Sequence, residues 1–348
     1  MDKRTVAVLF GGCSSEYSVS LASAQAVVQH MDRERYTPVL IGISRSGAWL
    51  HYTGPVERMA EDTWNDPRWC APAVVSLDRG DQTLLVRRGE QIERIHLDAA
   101  FPILHGKNGE DGTVQGVFEL AGIPLVGCGV LASALCMDKD RAHKLAAVAG
   151  VNVPNSFVLR RGEAQEAASR AEALGYPIFV KPVKAGSSYG VTKVTERGQL
   201  AAAVELAFSH DDAVLLEECI SGFEVGCAVL GNDVLTVGAV DEIELQSGFF
   251  DYTEKYTLKT AQIHVPARIR PEQSAQIQET ARTVYRALGC RGFARVDLFL
   301  DAQGRIVFNE VNAIPGFTAH SRYPSMMKAA GLSLQEVLTA VIELAVEP

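Results

Sequence analysis

Residues 295–312 read RVDLFLDAQGRIVFNEVN, and this stretch decides how the second half of the chain folds. Apolar residues recur at every second position on both sides of the segment DAQG, at Val296, Leu298, Leu300, Ile306 and Phe308. Apolar residues at alternate positions are typical of a β-strand, and a short polar segment containing glycine is typical of a hairpin loop. The pattern therefore predicts two antiparallel strands joined by a four-residue turn.

The same hairpin carries Arg295, Asp297, Glu310 and Asn312. Side chains alternate faces along a strand, so the first two share one face, as do the last two. A four-residue turn places Arg295 opposite Glu310 and Asp297 on the diagonal to it, so all four side chains point the same way. A one-residue bulge would shift the register and split them.

Asp, Glu and Asn supply hard oxygen ligands, which suit Mg²⁺ held together with phosphate. An exposed polar face with a cross-strand Arg-Glu pair is the alternative. The hairpin alone does not choose between a metal site and a solvated face.

The bulk composition limits the class of protein. A length of 348 residues allows two or three domains, and 47% hydrophobic with 22% charged residues is typical of a globular protein. The net charge of -9 argues against a general nucleic-acid binder. No apolar run reaches the length of a membrane span. The start MDKRTVAVLFGG has an apolar stretch of only five residues before two glycines, too short for a signal-peptide core, so we expect a cytoplasmic protein. Seven cysteines without a C-x-x-C pair predict reduced core residues rather than disulfides or zinc.

The first part alternates strands and helices: TVAVLF, a helix near residues 18–31, TPVLIGI, AAFPIL and a helix near residues 113–121. This order predicts a parallel sheet covered by helices, with its ligand site beyond the carboxyl ends of the strands. The glycine-rich turns GGCSSE (11–16) and HGKNGEDG (105–112) follow two such ends. Neither matches a dinucleotide fingerprint or a P-loop, so each is either structural or part of a shared binding floor.

Further along, strand-like segments NSFVLR, YPIFVKPV, VTKV, AVLLEECI, EVGCAVLG and DVLTVGAV alternate with helices near residues 137–150, 198–208 and 271–288, and a last helix begins near Ser333. Lys181 ends the strand PIFV, and the loop KAGSSYG (184–190) follows it. A lysine at a strand end is often only a solvated terminus. Small residues with free backbone N–H groups beside it indicate phosphate binding.

Glu217 and Glu218 follow the strand VLL, and Glu224 comes seven residues after Glu217. Such carboxylates can accept hydrogen bonds from an adenine amino group or a ribose hydroxyl; a solvated strand end is the alternative. The polar loop 246–262 has the aromatic centre FFDYTEKY, which is typical of a lid. Its Lys255 is either a cation for a transferring phosphoryl group or a surface lysine.

Six segments in order, HGKNGEDGTVQG, MDKDRAHKL, FVKPVKAGSSYGV, EVGCAVLG, FARVDLF and FNEVNAIPGFTAHSRYP, resemble the D-alanine-D-alanine ligases over essentially the whole chain. Each alone is weak, whereas six with matching spacing are specific. The resemblance implies an α/β protein with the ATP-grasp fold. Residues 1–136 would form an N-terminal Rossmann-like, parallel-sheet domain, residues 137–220 a central ATP-grasp subdomain, and residues 221–348 a C-terminal ATP-grasp subdomain with the lid and metal site.

The resemblance also implies a two-step reaction. ATP phosphorylates the carboxylate of a first D-alanine, the amine of a second D-amino acid attacks the acyl phosphate, and phosphate leaves a D,D-dipeptide for peptidoglycan precursors. The implied cofactors are ATP and two Mg²⁺ ions, with Mn²⁺ as an alternative. The implied partners are D-alanine with D-serine or a second D-alanine, and a second copy of the chain in a homodimer; no nucleic acid or membrane is expected.

Where this sequence matches the motifs of the family, the resemblance implies the following roles for its residues. Nucleotide contacts are assigned to Lys139, Lys181, Glu217, Glu224 and Lys255. Metal ligands are assigned to Asp297, Glu310 and Asn312. Stabilisation of the tetrahedral intermediate is assigned to Arg295 and the backbone N–H of Gly316. Binding of the first D-alanine is assigned to Glu16 and His105, with Tyr256 and Ser187 completing a hydrogen-bond network on Glu16, and the second carboxylate to Ser321.

The second substrate depends on the lid and the segment HSRYP. Ligases that use D-lactate resemble one another in carrying a lid histidine, whereas this lid carries Lys255 and Tyr256. Phe250 and Arg322 depart from the housekeeping pattern and resemble the vancomycin-resistance ligases, closest to the VanG type. We therefore expect Phe250, Asp241 and Arg322 to shape a pocket for D-serine. A housekeeping D-alanine-D-alanine ligase is the alternative; a non-catalytic ATP-binding module would lack the intact metal set.

Overall fold

The computed structural model describes residues 3–245 and 261–347. The first part of the chain forms a mixed sheet with helices on its faces. In chain order its elements are β1 (Arg4–Gly11), α1 (Tyr17–His30), β2 (Tyr36–Ile43), β3 (Trp49–Tyr52), α2 (Glu57–Ala60), β4 (Cys70–Val75), β5 (Thr83–Arg88), β6 (Gln91–His96), β7 (Ala99–Pro102) and α3 (Thr113–Ala121). The strand order is β6-β5-β4-β3-β2-β1-β7.

The parallel arrangement expected from the sequence is confirmed for β2-β1-β7. From Val6 to Phe10, β1 is a continuous apolar run buried on both faces, as in a central parallel strand. The sequence analysis did not identify the four strands β3 to β6, which extend the sheet by antiparallel pairing. The two glycine-rich turns meet beyond the carboxyl ends of β1 and β7, where the hydroxyl of Ser14 donates to the carbonyl of His105 at 2.6 Å.

The central part of the chain forms a four-stranded antiparallel sheet with the order β10-β9-β11-β8. Its elements are α4 (Val130–Met137), α5 (Lys139–Val148), β8 (Ser156–Arg160), a short 3₁₀ helix (Arg161–Glu166), α6 (Ala167–Leu174), β9 (Ile178–Pro182), β10 (Thr192–Val194), α7 (Arg197–Phe208) and β11 (Ala213–Glu218). Apolar residues of α6 and α7 pack against this sheet. Its opposite face is directed at the sheet that the last part of the chain forms.

The last part forms a six-stranded antiparallel sheet, β15-β14-β12-β16-β17, with β13 paired to β12. Its elements are β12 (Gly222–Leu230), β13 (Thr236–Val237), β14 (Asp241–Leu245), β15 (Ala261–His264), α8 (Pro271–Ala287), β16 (Phe293–Asp301), β17 (Ile306–Asn312), α9 (Arg322–Ala329) and α10 (Leu334–Val346). The strand predicted from DVLTVGAV is reduced to the two residues of β13, because only they pair with β12.

The opening hairpin is β16 and β17, but its predicted register is wrong. Arg295 pairs with Asn312 and Asp297 with Glu310, rather than Arg295 with Glu310. The register shifts after Asp297, so that Asn309 has no partner in the ladder and forms a bulge. The sequence suggested that a bulge would put the four polar side chains on different faces, but it does not. The pairs Arg295–Asn312 and Asp297–Glu310 both lie on the same side of the bulge, two residues apart, so their side chains share one face.

A shared aromatic core joins the first sheet to the C-terminal helices. Phe101 of β7 makes edge-on contacts with Phe293 and Phe317, whose ring centroids both lie 5.8 Å away. Phe293 also packs on Tyr323 of α9. These buried rings hold the carboxyl edge of the first sheet against the open end of the hairpin.

Two bulk expectations can be compared with the structure. All seven cysteines are free thiols; four are buried, whereas Cys70 and Cys219 are partly exposed and Cys13 is exposed, so the expectation of core residues is wrong for these three. Within the described residues, no single helix has the length and apolar character needed to cross a membrane. Only α9 and α10 taken together pass that test, and they are bent by 102°.

Candidate active site

Two cavities meet at the open end of the hairpin. The first, of about 380 Å³, lies between the turns that follow β1 and β7, the hairpin end and the start of α9. The second, of about 510 Å³, lies between the four-stranded and six-stranded sheets. A void of about 30 Å³ between them is lined by Lys139, Glu310 and Asn312, among others. The hairpin is therefore a wall shared by both cavities.

The predicted site residues divide between these cavities. Those on the first cavity are Glu16, His105, Ser187, Arg295, Asn312, Gly316, Ser321 and Arg322. Those on the second are Lys139, Lys181, Glu217, Glu224 and Glu310. Asp241 and Asp297, which are 0% and 1% exposed, lie behind the lining of the first cavity and hold its arginines. Phe250, Lys255 and Tyr256 lie outside the described residues.

Glu16 immediately precedes α1, where the positive end of the helix dipole favours a carboxylate. Its side chain is buried, and the hydroxyl of Ser187 donates to it across the first cavity. A Cβ atom at Gly106 or at Gly186 would come within 2.6 Å of Glu16 Oε2. Glycine at these two positions thus lets loops from two parts of the chain close over one buried carboxylate, an arrangement suited to an ammonium group.

His105 and Glu110 lie beside Glu16. Burial lowers the pKa of His105 to about 4, so its ring is neutral at pH 7. The N–H of Gly106 donates to Glu110 Oε2 at 2.7 Å, and the N–H of Ile314 to Oε1 at 3.3 Å. Burial first, and then the charge of Glu16, raise the pKa of Glu110 to about 8. Glu110 was not among the site residues predicted from the sequence, because its partner Ile314 lies 204 residues away.

The raised pKa of Glu110 gives a prediction for stability against pH. Because the folded-state pKa of about 8 exceeds the ordinary 4.5, the contribution of this carboxyl is fully present below about pH 4.5 and is lost as pH rises through about 8. Glu110→Gln removes this titration. The free energy of unfolding of the variant relative to the parent should rise by about 1 kcal/mol or more between about pH 5 and about pH 9. Denaturant titrations at both values measure it; a difference that does not change with pH would contradict the assignment.

Asp297 is held by donors from three directions. Arg295 Nε and Nη2 donate to its two carboxylate oxygens at 2.8 and 2.7 Å, and Asn312 Nδ2 donates to Oδ2 at 2.9 Å. Arg322 Nη1 lies 3.3 Å from Oδ1. Burial alone would lower the pKa of Arg295, but the charge of Asp297 raises it, so the guanidinium stays charged at the wall of the first cavity.

Arg322 begins α9 and is 7% exposed. Its Nε and Nη2 donate to Asp241 at 2.7 and 2.8 Å, and its Nη1 donates to Glu224 at 2.8 Å. Gly226 makes this possible: it pairs with Asp241 on one side and with Asp297 on the other, and a Cβ there would lie 2.4 Å from Arg322 Nη2. The guanidinium therefore rests over a glycine between carboxylates, which raise its pKa further despite its burial.

The second cavity has two lysines at one end, each beside a carboxylate, and apolar side chains along its walls. Lys139 Nζ donates to the carbonyl of Ala185 at 2.7 Å and lies 3.5 Å from Glu310 Oε2. Lys181 Nζ donates to Glu217 Oε1 at 2.5 Å, because the two residues are diagonal neighbours on β9 and β11. Apolar walls are formed by Phe179, Ile220, Ile243, Leu245 and Phe299. This combination suits a planar base between apolar side chains with phosphates against the lysines.

The three predicted metal ligands fit a hard cation by their chemistry. Asp297 and Glu310 are directly paired across the hairpin, and Asn312 contacts Asp297. Their oxygen donors suit Mg²⁺ shared with phosphate. Among residues 3–245 and 261–347, no group of three or more His, Cys, Asp or Glu side chains is arranged to hold a metal, so the candidate set consists of two carboxylates and an amide. Phosphate oxygens would have to complete it.

Comparisons with known proteins agree with this geometry. The family descriptions "D-ala D-ala ligase N-terminus" and "D-ala D-ala ligase C-terminus" match residues 5–128 and 145–343. The chain is 46% identical over 352 residues to the vancomycin/teicoplanin A-type resistance protein VanA of Enterococcus faecium, covering 100% of both chains. It is 41% identical to a D-alanine-D-alanine ligase of Caldicellulosiruptor bescii, covering 100% of this chain and 96% of that one.

Among solved structures, the VanG D-Ala:D-Ser ligase from Enterococcus faecalis superposes with a TM-score of 0.92 at 57% identity, covering 99% of this chain and 100% of that chain. The chain belongs to the D-alanine-D-alanine ligase family. It is an ATP-dependent peptide ligase with the ATP-grasp fold that joins D-alanine to a second unit for peptidoglycan precursors, and it uses a divalent metal. The fold and family expected from the sequence are thereby confirmed.

Proposed function

We propose that this ligase joins D-alanine to D-serine. A carboxylate oxygen of the first D-alanine attacks the γ-phosphorus of ATP, releasing ADP and forming D-alanyl phosphate. The amine of D-serine then attacks the acyl carbon, the amine gives up a proton, and phosphate leaves. The product is the dipeptide D-alanyl-D-serine, and no side chain of the enzyme forms a covalent bond with substrate.

The first step is supported by the way in which the proposed binding residues divide between the two cavities. Lys139 and Lys181 lie in the second cavity, where they would bind nucleotide phosphates, with Glu217 at the adenine amino group and Glu224 at the ribose. Glu16 and the neutral ring of His105 lie in the first cavity, where they would hold the ammonium end of the first D-alanine. Its carboxylate would then face the hairpin that both cavities share.

Charge on the reacting atoms would be met at that wall. Asp297, Glu310 and Asn312 would hold two Mg²⁺ ions, which offset the negative charge of phosphates approaching a carboxylate. Arg295 lines the first cavity with its orientation fixed by Asp297, and Gly316 lines it nearby. Donors fixed in this way cost little reorganisation when a tetrahedral oxyanion forms between them.

The choice of D-serine rests on one observation: a buried guanidinium lines the first cavity. Arg322 lies there beside Ser321, the proposed ligand of the second carboxylate, and is locked by two hydrogen bonds to Asp241. A small apolar side chain gains nothing from such a group. A hydroxymethyl side chain can accept a hydrogen bond from an N–H of the guanidinium that Asp241 and Glu224 leave unused, whereas the methyl group of D-alanine cannot.

Steady-state kinetics would test the proposed activity. Phosphate release from ATP should require D-alanine, and adding D-serine should give kcat/KM at least about tenfold higher than adding more D-alanine as the second substrate. Phosphate release that does not depend on D-alanine would contradict the ligase assignment. Equal or better use of D-alanine as second substrate would favour a housekeeping D-alanine-D-alanine ligase.

A further inference from the structure

His143 is a buried histidine that the roles above do not use. It lies on α5, is 3% exposed, and packs edge-on against Phe308 of the hairpin at 5.5 Å. Its Nε2 lies 2.8 Å from the carbonyl oxygen of Asn309, the unpaired bulge residue. A carbonyl can only accept, so Nε2 must carry the proton and donate.

The other ring nitrogen faces a second acceptor. His143 Nδ1 lies 3.9 Å from Glu217 Oε2, and both atoms are buried. Within the described part of the chain, neither atom has a hydrogen-bond partner. Burial lowers the pKa of His143, in favour of the neutral ring, whose Nδ1 carries a lone pair. Two hydrogen-bond acceptors, His143 Nδ1 and Glu217 Oε2, therefore face each other. Leaving both unsatisfied costs free energy unless a bound ligand supplies a donor.

Glu217 is the one member of this pair that lines the second cavity. Its other oxygen already accepts from Lys181 Nζ at 2.5 Å. We propose that His143 is a positioning and specificity residue: its Nδ1 withholds a donor from Glu217, so that the carboxylate turns its second oxygen toward the cavity and accepts a hydrogen bond from an amino group on the nucleobase. This inference rests on the proposed contact between Glu217 and adenine.

The arrangement selects the base by its hydrogen-bonding character. An amino group supplies the missing donor, whereas a carbonyl oxygen at the same position adds a further acceptor to two that are already unsatisfied. Inosine triphosphate carries that carbonyl in place of the adenine amino group. The parent enzyme should therefore use ATP best, purine riboside triphosphate less well, and inosine triphosphate least.

Two amide substitutions at His143 distinguish the role of Nδ1 from that of Nε2. His143→Asn puts an N–H donor near the position of Nδ1, where it can satisfy Glu217 internally, and gives up the bond to Asn309. His143→Gln reaches the position of Nε2, keeps a donor for the Asn309 carbonyl, and offers no donor at Nδ1. The measurement is the ratio of kcat/KM for ATP to that for inosine triphosphate, taken with saturating D-alanine and D-serine on variants shown to be folded by thermal unfolding.

His143→Asn is expected to lower this ratio about tenfold, and His143→Gln to keep it within about twofold of the parent value. A purely structural role for His143 would weaken the use of both nucleotides alike and leave the ratio unchanged; that result in His143→Asn, or a fall of the ratio in His143→Gln, overturns the inference. The failure of the proposed function looks different, since the parent enzyme would then release no D-alanine-dependent phosphate from ATP.

Discussion

Asp297→Asn is expected to lower kcat for ligation about 100-fold or more while the protein stays folded. The carboxylate accepts two hydrogen bonds from Arg295 and one from Asn312, and its charge is proposed to bind magnesium. An amide presents one oxygen and one N–H₂ group, so it cannot accept both arginine donors, and it removes a negative charge from the metal site. The lost hydrogen bond and the lost charge both lie where negative charge moves during phosphoryl transfer. Removing electrostatic stabilisation at that place should lower the rate most.

Asp301→Asn is the matched control on the same hairpin. Asp301 also accepts hydrogen bonds from an arginine, Arg305, but it does so at the turn, where β16 ends. This variant should lose stability, with kcat within about twofold of the parent. Both variants are compared by initial rates over a magnesium titration and by denaturant unfolding. An Asp297→Asn enzyme with the parent rate and the parent magnesium dependence would contradict the role of Asp297.

Replacing Arg322 and Asp241 together, as Arg322→Met with Asp241→Leu, should lower the preference for D-serine over D-alanine about 100-fold, measured as the ratio of kcat/KM values. The double variant is needed because Arg322→Met alone leaves the carboxylate of Asp241 buried without its partner. Breaking a buried ion pair in this way costs about 3 kcal/mol or more, whereas replacing both members by apolar residues of similar volume is often neutral.

Gly226→Ala tests the same guanidinium without altering any charge. The added methyl group would lie 2.4 Å from Arg322 Nη2, 2.7 Å from Asp241 Oδ1 and 2.9 Å from Met326 Cε, so the guanidinium and the carboxylate that holds it must both shift. The preference for D-serine should fall in this variant, with a smaller loss of D-alanine use. A D-serine preference unchanged in both the double variant and Gly226→Ala would exclude Arg322 as its source.

The hairpin shows how far sequence alone can predict this molecule. Alternating apolar residues fixed its two strands and the shared face of its polar residues, because side-chain direction follows from strand geometry. Its register did not follow, because the bulge at Asn309 satisfies its carbonyl through His143, 166 residues earlier in the chain. Local sequence does not carry a contact of that kind.

The site shows the same division between local pattern and distant contact. Glycine-rich turns and charged strand ends indicated many of the proposed residues that line the two cavities. The bidentate pair between Arg322 and Asp241 joins positions 81 residues apart and depends on the absence of a side chain at Gly226. Nor does sequence say that Glu110 shares its environment with Glu16, since burial and neighbouring charge exist only after folding.

Product analysis tests the central claim most directly. The enzyme is incubated with ATP, magnesium and equal concentrations of D-alanine, D-serine and D-lactate, and the products are identified by mass spectrometry. D-Alanyl-D-serine should be the main product, and the depsipeptide with D-lactate a minor one. A mixture dominated by D-alanyl-D-alanine or by D-alanyl-D-lactate would contradict that claim.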